Sequence, residues 1–228
     1  MSPGALGSLY PHLAPRAAPD DGRLDAALHE ATLAKCRDSV EVKSRFFADH
    51  AARLLRAAHL LADSYRAGGR LYTMGNGGSS CDAAHIAVEF QHPVTAGRPA
   101  LPATNLAQDM AMLSAVGNDV GFGEVFARQM PGLVRAGDSV LGVSTSGNSA
   151  NVLRGLEAAR SLGACTLALA GGDGGAMARA PFVELCLVVG SDSIHRIQET
   201  HVAIYHVLWD LVHSLLADDR GPAKGEAA

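Results

Sequence analysis

The chain has 228 residues, 48% of them hydrophobic and 18% charged, which is enough apolar side chain to bury a core and excludes wholesale disorder. A formal net charge of −4 argues against a dedicated nucleic-acid binder, and 5% aromatic residues argue against an all-β sandwich. The four cysteines (Cys36, Cys81, Cys165, Cys186) make no CxxC pair, no run approaches the roughly 18 consecutive apolar residues of a membrane span, and the N-terminal stretch has no basic residue before Arg16 and is broken by Pro3, Pro11 and Pro15. Together these predict a soluble cytoplasmic protein with reduced thiols, no signal peptide, and no membrane or nucleic-acid partner.

Residues 1–21 read as a flexible arm and 219–228 as a frayed tail, leaving one domain over 22–218. From Arg23 to Arg66 apolar residues recur at helical spacing (Leu24, Ala27, Leu28, then Phe46, Phe47, Leu54, Leu55, Leu61), predicting two helices that meet near Asp38-Ser39. A strand–turn–helix grammar follows. RLYTM (70–74) runs into the turn Gly75-Asn76-Gly77-Gly78 and a helix from Ser80 to Gln91. A strand over 101–106, a helix to Val116 and a further helix over 121–133 come next. SVLGV (139–143) leads into Ser144–Ser149 and a helix to Leu162; CTLALA (165–170) and FVELCLVV (182–189) are strands, and a last helix spans 194–217. Near-continuous apolar strands alternating with helices predict an α/β fold, a three-layer αβα arrangement around a five-stranded parallel sheet, preceded by N-terminal helices.

In open parallel sheets ligands sit beyond the carboxyl ends of the strands. Two turns there have suitable chemistry. GNGGSS (75–80) lets backbone N–H groups approach a ligand unobstructed by Cβ atoms. STSGNS (144–149) sets four hydroxyls and free amides at a helix start, where open N–H groups and the helix dipole favour an anion such as phosphate. Serine also caps helices routinely, so each turn alone is ambiguous; their pairing on one sheet favours phosphate binding. Neither turn is a Walker A loop or a GxGxxG dinucleotide fingerprint.

His85 and Glu89 lie four apart on the first of these helices and so share a face, where they can converge on a metal or substrate or simply form a surface pair. On the last helix Gln198, His201, Tyr205 and His206 follow Arg196, and histidines there are commonly packed rather than ligating. Gln198 and His206 are eight residues apart, about 12 Å along a helix axis. If both serve one site, they reach it from different subunits.

Taken together, GNGGSSCDAAHIAVEF (75–90), SAVGNDVGF (114–122), GDSVLGVSTSGNSANV (137–152), ALAGGDGGAMA (168–178) and RIQETHVAIYH (196–206) resemble the phosphoheptose isomerases, single-domain members of the sugar-isomerase (SIS) superfamily. The stretches run in family order over most of residues 70–206. The resemblance implies an aldose–ketose isomerase acting on sedoheptulose 7-phosphate, with His85, Glu89, Gln198 and His206 holding a divalent ion, usually zinc. It implies Glu89 and His206 as the acid–base pair, Asn76, Gly77, Gly78, Asn118 and Asp119 as substrate contacts, and Ser144, Thr145, Ser146 and Ser149 as the phosphate loop. It also implies a homotetramer with shared sites. Ser80, where many members have His, and His195, before the RIQE motif, depart from the family pattern. The alternative is a non-enzymatic relative that keeps the fold and binds a replication initiator; such adaptors lack the His and Glu that this chain retains at 85 and 89.

Overall fold

A computed structural model describes residues 21–218; the expected arm and tail lie outside the described residues but for Asp21. Helix α1 spans Asp21–Arg66 without interruption. The expected break near Asp38-Ser39 does not occur. No glycine or proline lies between Arg23 and Arg66, and Asp and Ser inside a helix cost at most about 0.7 kcal/mol each, too little to stop it. The chain divides into two compact units, up to Val40 and from Glu41 onward. In the first, α1 has no buried side chain among those described, and Leu24, Leu28, Leu33 and Val40 are exposed.

The second unit contains the sheet. Its elements are β1 (Leu71–Gly75), α2 (Gly78–Gln91), β2 (Ala103–Asn105), α3 (Met110–Asp119), α4 (Met130–Leu133), β3 (Ser139–Ser144), α5 (Ala150–Ser161), β4 (Cys165–Gly171), α6 (Gly175–Arg179), β5 (Leu185–Val189) and α7 (Ile194–Asp218). All strand pairs are parallel, in the order β2-β1-β3-β4-β5. Alternate strand residues feed two cores. Leu71, Leu141, Val143, Leu167, Leu169 and Leu187 pack with Phe46, Leu61, Ile86, Phe90, Tyr205 and Leu208 of α1, α2 and α7. Tyr72, Met74, Val140, Ala168 and Ala170 pack on the opposite face with Val116, Met130, Val152, Leu156 and Met177. The expected three layers are therefore present. Among the described residues no helix is long and apolar enough to cross a membrane.

Strand β5 begins at Leu185, three residues after the expected start at Phe182, and two other elements differ from expectation. Residues 121–133 form short 3₁₀ turns (Phe122–Glu124 and Ala127–Gln129) and the single-turn α4 instead of one helix. Gly121, Gly123, Pro131 and Gly132 weaken a continuous helix there, and the Gln129 amide holds the bend by donating to the Leu106 and Val125 carbonyls. Strand β2 is shorter than 101–106 because Pro102 has no N–H to give the ladder, while Leu101 N–H bonds the Phe90 carbonyl outside the sheet.

Close packing on the α5 face leaves Gly142 no alternative side chain. A Cβ there would lie 2.6 Å from Cγ1 of Val152 and 3.1 Å from Cδ1 of Leu156. Val152 is stiff about χ1 and cannot swing clear. Gly142→Ala is expected to destabilise the protein by about 1–3 kcal/mol, read as a fall of roughly 2–12 °C in melting temperature. An unchanged melting temperature would show that α5 yields without cost.

Candidate active site

The strand order 2-1-3-4-5 reverses direction between β1 and β3, and in such sheets the crevice at the reversal receives ligands. The GNGGSS and STSGNS turns leave these two neighbouring strands. A pair of reciprocal hydrogen bonds joins them: the amides of Asn76 and Asn151 each donate to the other's carbonyl oxygen at 2.8 Å. Asn151 is buried, and its Oδ1 also accepts from Val152 N–H. The two turns are thereby held in one frame. Beside the first turn, Asn76, Gly77, Ser80, Met110 and Phe122 line a hollow of about 200 Å³.

In the second turn the hydroxyls converge. Ser144 Oγ lies 2.9 Å from Ser149 Oγ and 3.5 Å from Ser146 Oγ. Ser149 is the N-cap residue of α5, yet its side chain makes no capping hydrogen bond. The turned-away hydroxyl leaves the helix start available to an anion. Gly147 crosses the turn at φ 65°. Asn148 fastens the turn to the start of α6: its side chain donates to the Ser146 carbonyl at 2.9 Å and accepts from Ala176 N–H at 2.9 Å. On the far side, Thr145, Ser146, Gly171, Ser191 and Asp192 line a cavity of about 260 Å³.

Helices α2 and α7 bring together the histidine and carboxylate side chains expected at the site. They lie side by side in a constant register of 120 residues. Tyr205 Oη is 2.8 Å from His85 Nδ1, the indole of Trp209 donates to the Glu89 carbonyl at 2.9 Å, and a Cβ on Gly78 would lie 2.1 Å from Gln198 Nε2. This register sets His206 beside the first helix. One ligand atom each from His85, Glu89 and His206 falls within 4.8 Å of the others, with His85 Nε2 at 3.0 Å and His206 Nε2 at 4.0 Å from Glu89 Oε1. The His85 and His206 rings meet edge to face at 5.1 Å, and each also meets Tyr205. Two imidazoles and a carboxylate form a donor set of the kind zinc takes.

Buried groups surround the cluster. Asp82, one turn before His85, is buried, and its Oδ2 makes no hydrogen bond among the described residues; burial pushes its carboxyl up to about 6, against the pull of His85. Burial chiefly, then the charges of Asp82 and Glu89, raises the Tyr205 phenol well above its ordinary range. His201 is a packed histidine: fully buried, it lies with Nε2 3.2 Å from the Ala170 carbonyl, and burial pushes its pKa down to about 4.

Within one chain the remaining candidates lie apart. Gln198 rests against Gly78, while His206 stands about 12 Å farther along α7. Asn118 and Asp119 are exposed at the end of α3, hydrogen-bonded to each other at 2.7 Å; among the described residues no hydrogen bond links them to the histidine–glutamate cluster. Asn151 and Trp209 were not among the expected site residues. Trp209 follows Tyr205 by four residues, a helical spacing that could have flagged it. For Asn151, only the pairing of β1 with β3 supplies a signal.

The SIS domain family matches residues 36–171 of this chain. The phosphoheptose isomerase of Geobacter sp. (strain M21) is 44% identical over 183 residues, 80% of this chain and 94% of its own length. That of Solidesulfovibrio magneticus is 44% identical over 179 residues, covering 78% and 86%. The solved phosphoheptose isomerase from Neisseria gonorrhoeae superposes with a TM-score of 0.76 at 36% identity, over 82% of this chain and 99% of that one. Its sheet, its paired turns and its relatives alike place this chain in the phosphoheptose isomerase family of SIS-domain proteins.

Proposed function

We propose that the protein interconverts sedoheptulose 7-phosphate and D-glycero-D-manno-heptose 7-phosphate through an enediol. The convergence of His85, Glu89 and His206 within 4.8 Å, in a chain whose sheet also bears the serine-rich turn, supports this reading most directly. The phosphate would lie against Ser144, Thr145, Ser146 and Ser149, with the backbone of Asn76, Gly77 and Gly78 facing the sugar. Glu89 and His206 act as the acid–base pair. One carries the carbon-bound proton from C1 to C2, and the other relays a proton between the O2 and O1 oxygens; the net change is isomerisation alone. Two positioned groups of this kind each contribute about 10²–10⁴-fold.

His85, Glu89 and His206 would also hold a divalent ion, zinc by the chemistry of the donors. When bound, such an ion supplies positive charge for the oxyanion that develops at the sugar carbonyl. Glu89 has a second carboxylate oxygen and His206 a second ring nitrogen, so holding an ion and moving protons are compatible. The reading includes a cytoplasmic homotetramer in which Gln198 of a neighbouring copy completes the set. The separation of Gln198 from His206 along α7 supports that sharing. Asn118 and Asp119 are assigned to the substrate on the same footing. The adaptor alternative has no support among the relatives described above, which bear the name of the enzyme.

Incubating the protein with a panel of ketose phosphates and following the products by NMR tests the assignment. Aldose signals are expected from the seven-carbon ester, with five- and six-carbon esters converted far more slowly. Absence of any aldose from sedoheptulose 7-phosphate would overturn it.

A further inference from the structure

The phenol of Tyr205 meets His85 from the side opposite Glu89. Its oxygen lies 2.8 Å from Nδ1, while Nε2 of the same ring lies 3.0 Å from Glu89 Oε1. The tyrosine ring is 2% exposed, and it is fixed edge to face against both His85 and His206. One turn farther along α7, the Trp209 indole grips the backbone carbonyl of Glu89. Two neighbouring side chains of α7 thus hold the two α2 residues that supply donors to the cluster.

A neutral imidazole carries its proton on one nitrogen only. With the proton on Nε2, His85 donates to Glu89, and Nδ1 needs a donor. With Nε2 committed to an ion, the proton must sit on Nδ1, which then needs an acceptor. A hydroxyl serves both states, because it can donate or accept by rotating its hydrogen. A backbone carbonyl could serve only the second state and an amide N–H only the first.

We propose that Tyr205 is a positioning residue for the metal site, the partner that accommodates both tautomers of His85 and orients its Nε2 toward an ion. This rests on the reading of His85, Glu89 and His206 as ligands. Partners of this kind typically alter metal affinity by about 10–100-fold when removed. The phenol's work here is separable from its ring's, since phenylalanine keeps the buried contacts and deletes only the oxygen.

The test is a titration of Co²⁺ into metal-stripped full-length protein, read by the ion's visible absorption and by calorimetry, for wild type, Tyr205→Phe and His85→Ala. Tyr205→Phe is expected to bind Co²⁺ about 10–100-fold more weakly than wild type, with the melting temperature of the metal-free protein little changed. Affinity equal to wild type in Tyr205→Phe would overturn the positioning role and leave the metal site standing. Wild type that takes up no Co²⁺, or His85→Ala that binds as wild type does, would overturn the metal reading and the role of Tyr205 with it. If Tyr205→Phe does not fold, long-range ¹H–¹⁵N spectra of zinc-loaded wild type decide the matter. A slowly exchanging proton on His85 Nδ1 is expected, and a freely exchanging one counts against the proposal.

Discussion

Glu89→Gln is expected to lower kcat for sedoheptulose 7-phosphate by about 10²–10⁴-fold while the circular dichroism spectrum and fold remain those of wild type. The substitution changes almost no volume. It leaves the Glu89 backbone carbonyl, which accepts from Trp209, untouched. What it removes is the proton-accepting carboxylate 3.0 Å from His85 Nε2 and 4.0 Å from His206 Nε2. An amide has no useful basicity, and its NH₂ group presents a donor where an imidazole N–H requires an acceptor. A fall in kcat with KM nearly unchanged would identify a group that acts in the transition state rather than in binding. Wild-type turnover in Glu89→Gln would remove the acid–base assignment altogether. Measuring Co²⁺ affinity of the same variant separates the carboxylate's two duties, since loss of the ion and loss of the base need not have the same size.

Most of the scaffold can be read from residue order, and the reasons are local. CTLALA and SVLGV are apolar runs too short for helices and are bounded by glycine or serine turns, so their burial on both faces follows from composition. The His85–Glu89 pair is equally local, because a spacing of four on a helix enforces a shared face. Other features depend on relations that spacing does not encode. That Tyr205 meets His85 and Trp209 meets Glu89 follows from two parallel helices packed side by side on one face of the sheet in a register of 120 residues, which the order of the intervening strands sets. The Asn76–Asn151 bridge likewise requires knowing that β1 and β3 are neighbours. Helix α1 runs through Asp38-Ser39 because cap-forming residues permit a helix end without compelling one. The eight-residue spacing of Gln198 and His206 proved informative in another way: within one chain the glutamine lies against Gly78 while the histidine joins His85 and Glu89.

Gly147→Ala is expected to be the most damaging single-methyl change in the Ser144–Ser149 turn, the proposed phosphate site. At φ 65° an L-residue is strained by about 1–2 kcal/mol. The added Cβ would also lie 2.1 Å from the Gly174 carbonyl oxygen, a main-chain atom that cannot rotate away. The collision falls on the seam between two loops: Met177 N–H donates to the Gly147 carbonyl at 3.0 Å, and Gly147 N–H donates to the Ser144 carbonyl at 3.0 Å. Parting that seam must carry Ser146 and Asn148 outward and open the Ser144–Ser149 hydroxyl cluster. Misplacement of binding groups by about 1 Å can cost 10²-fold, so KM for the phosphorylated ketose should rise by about that factor. Free sedoheptulose, which has no phosphate to lose, supplies the control: its slow turnover should change little, and the preference for the phosphorylated sugar should collapse. Equal losses on both sugars would trace the defect to the whole fold, and an unchanged KM for the ester would mean that the phosphate binds elsewhere.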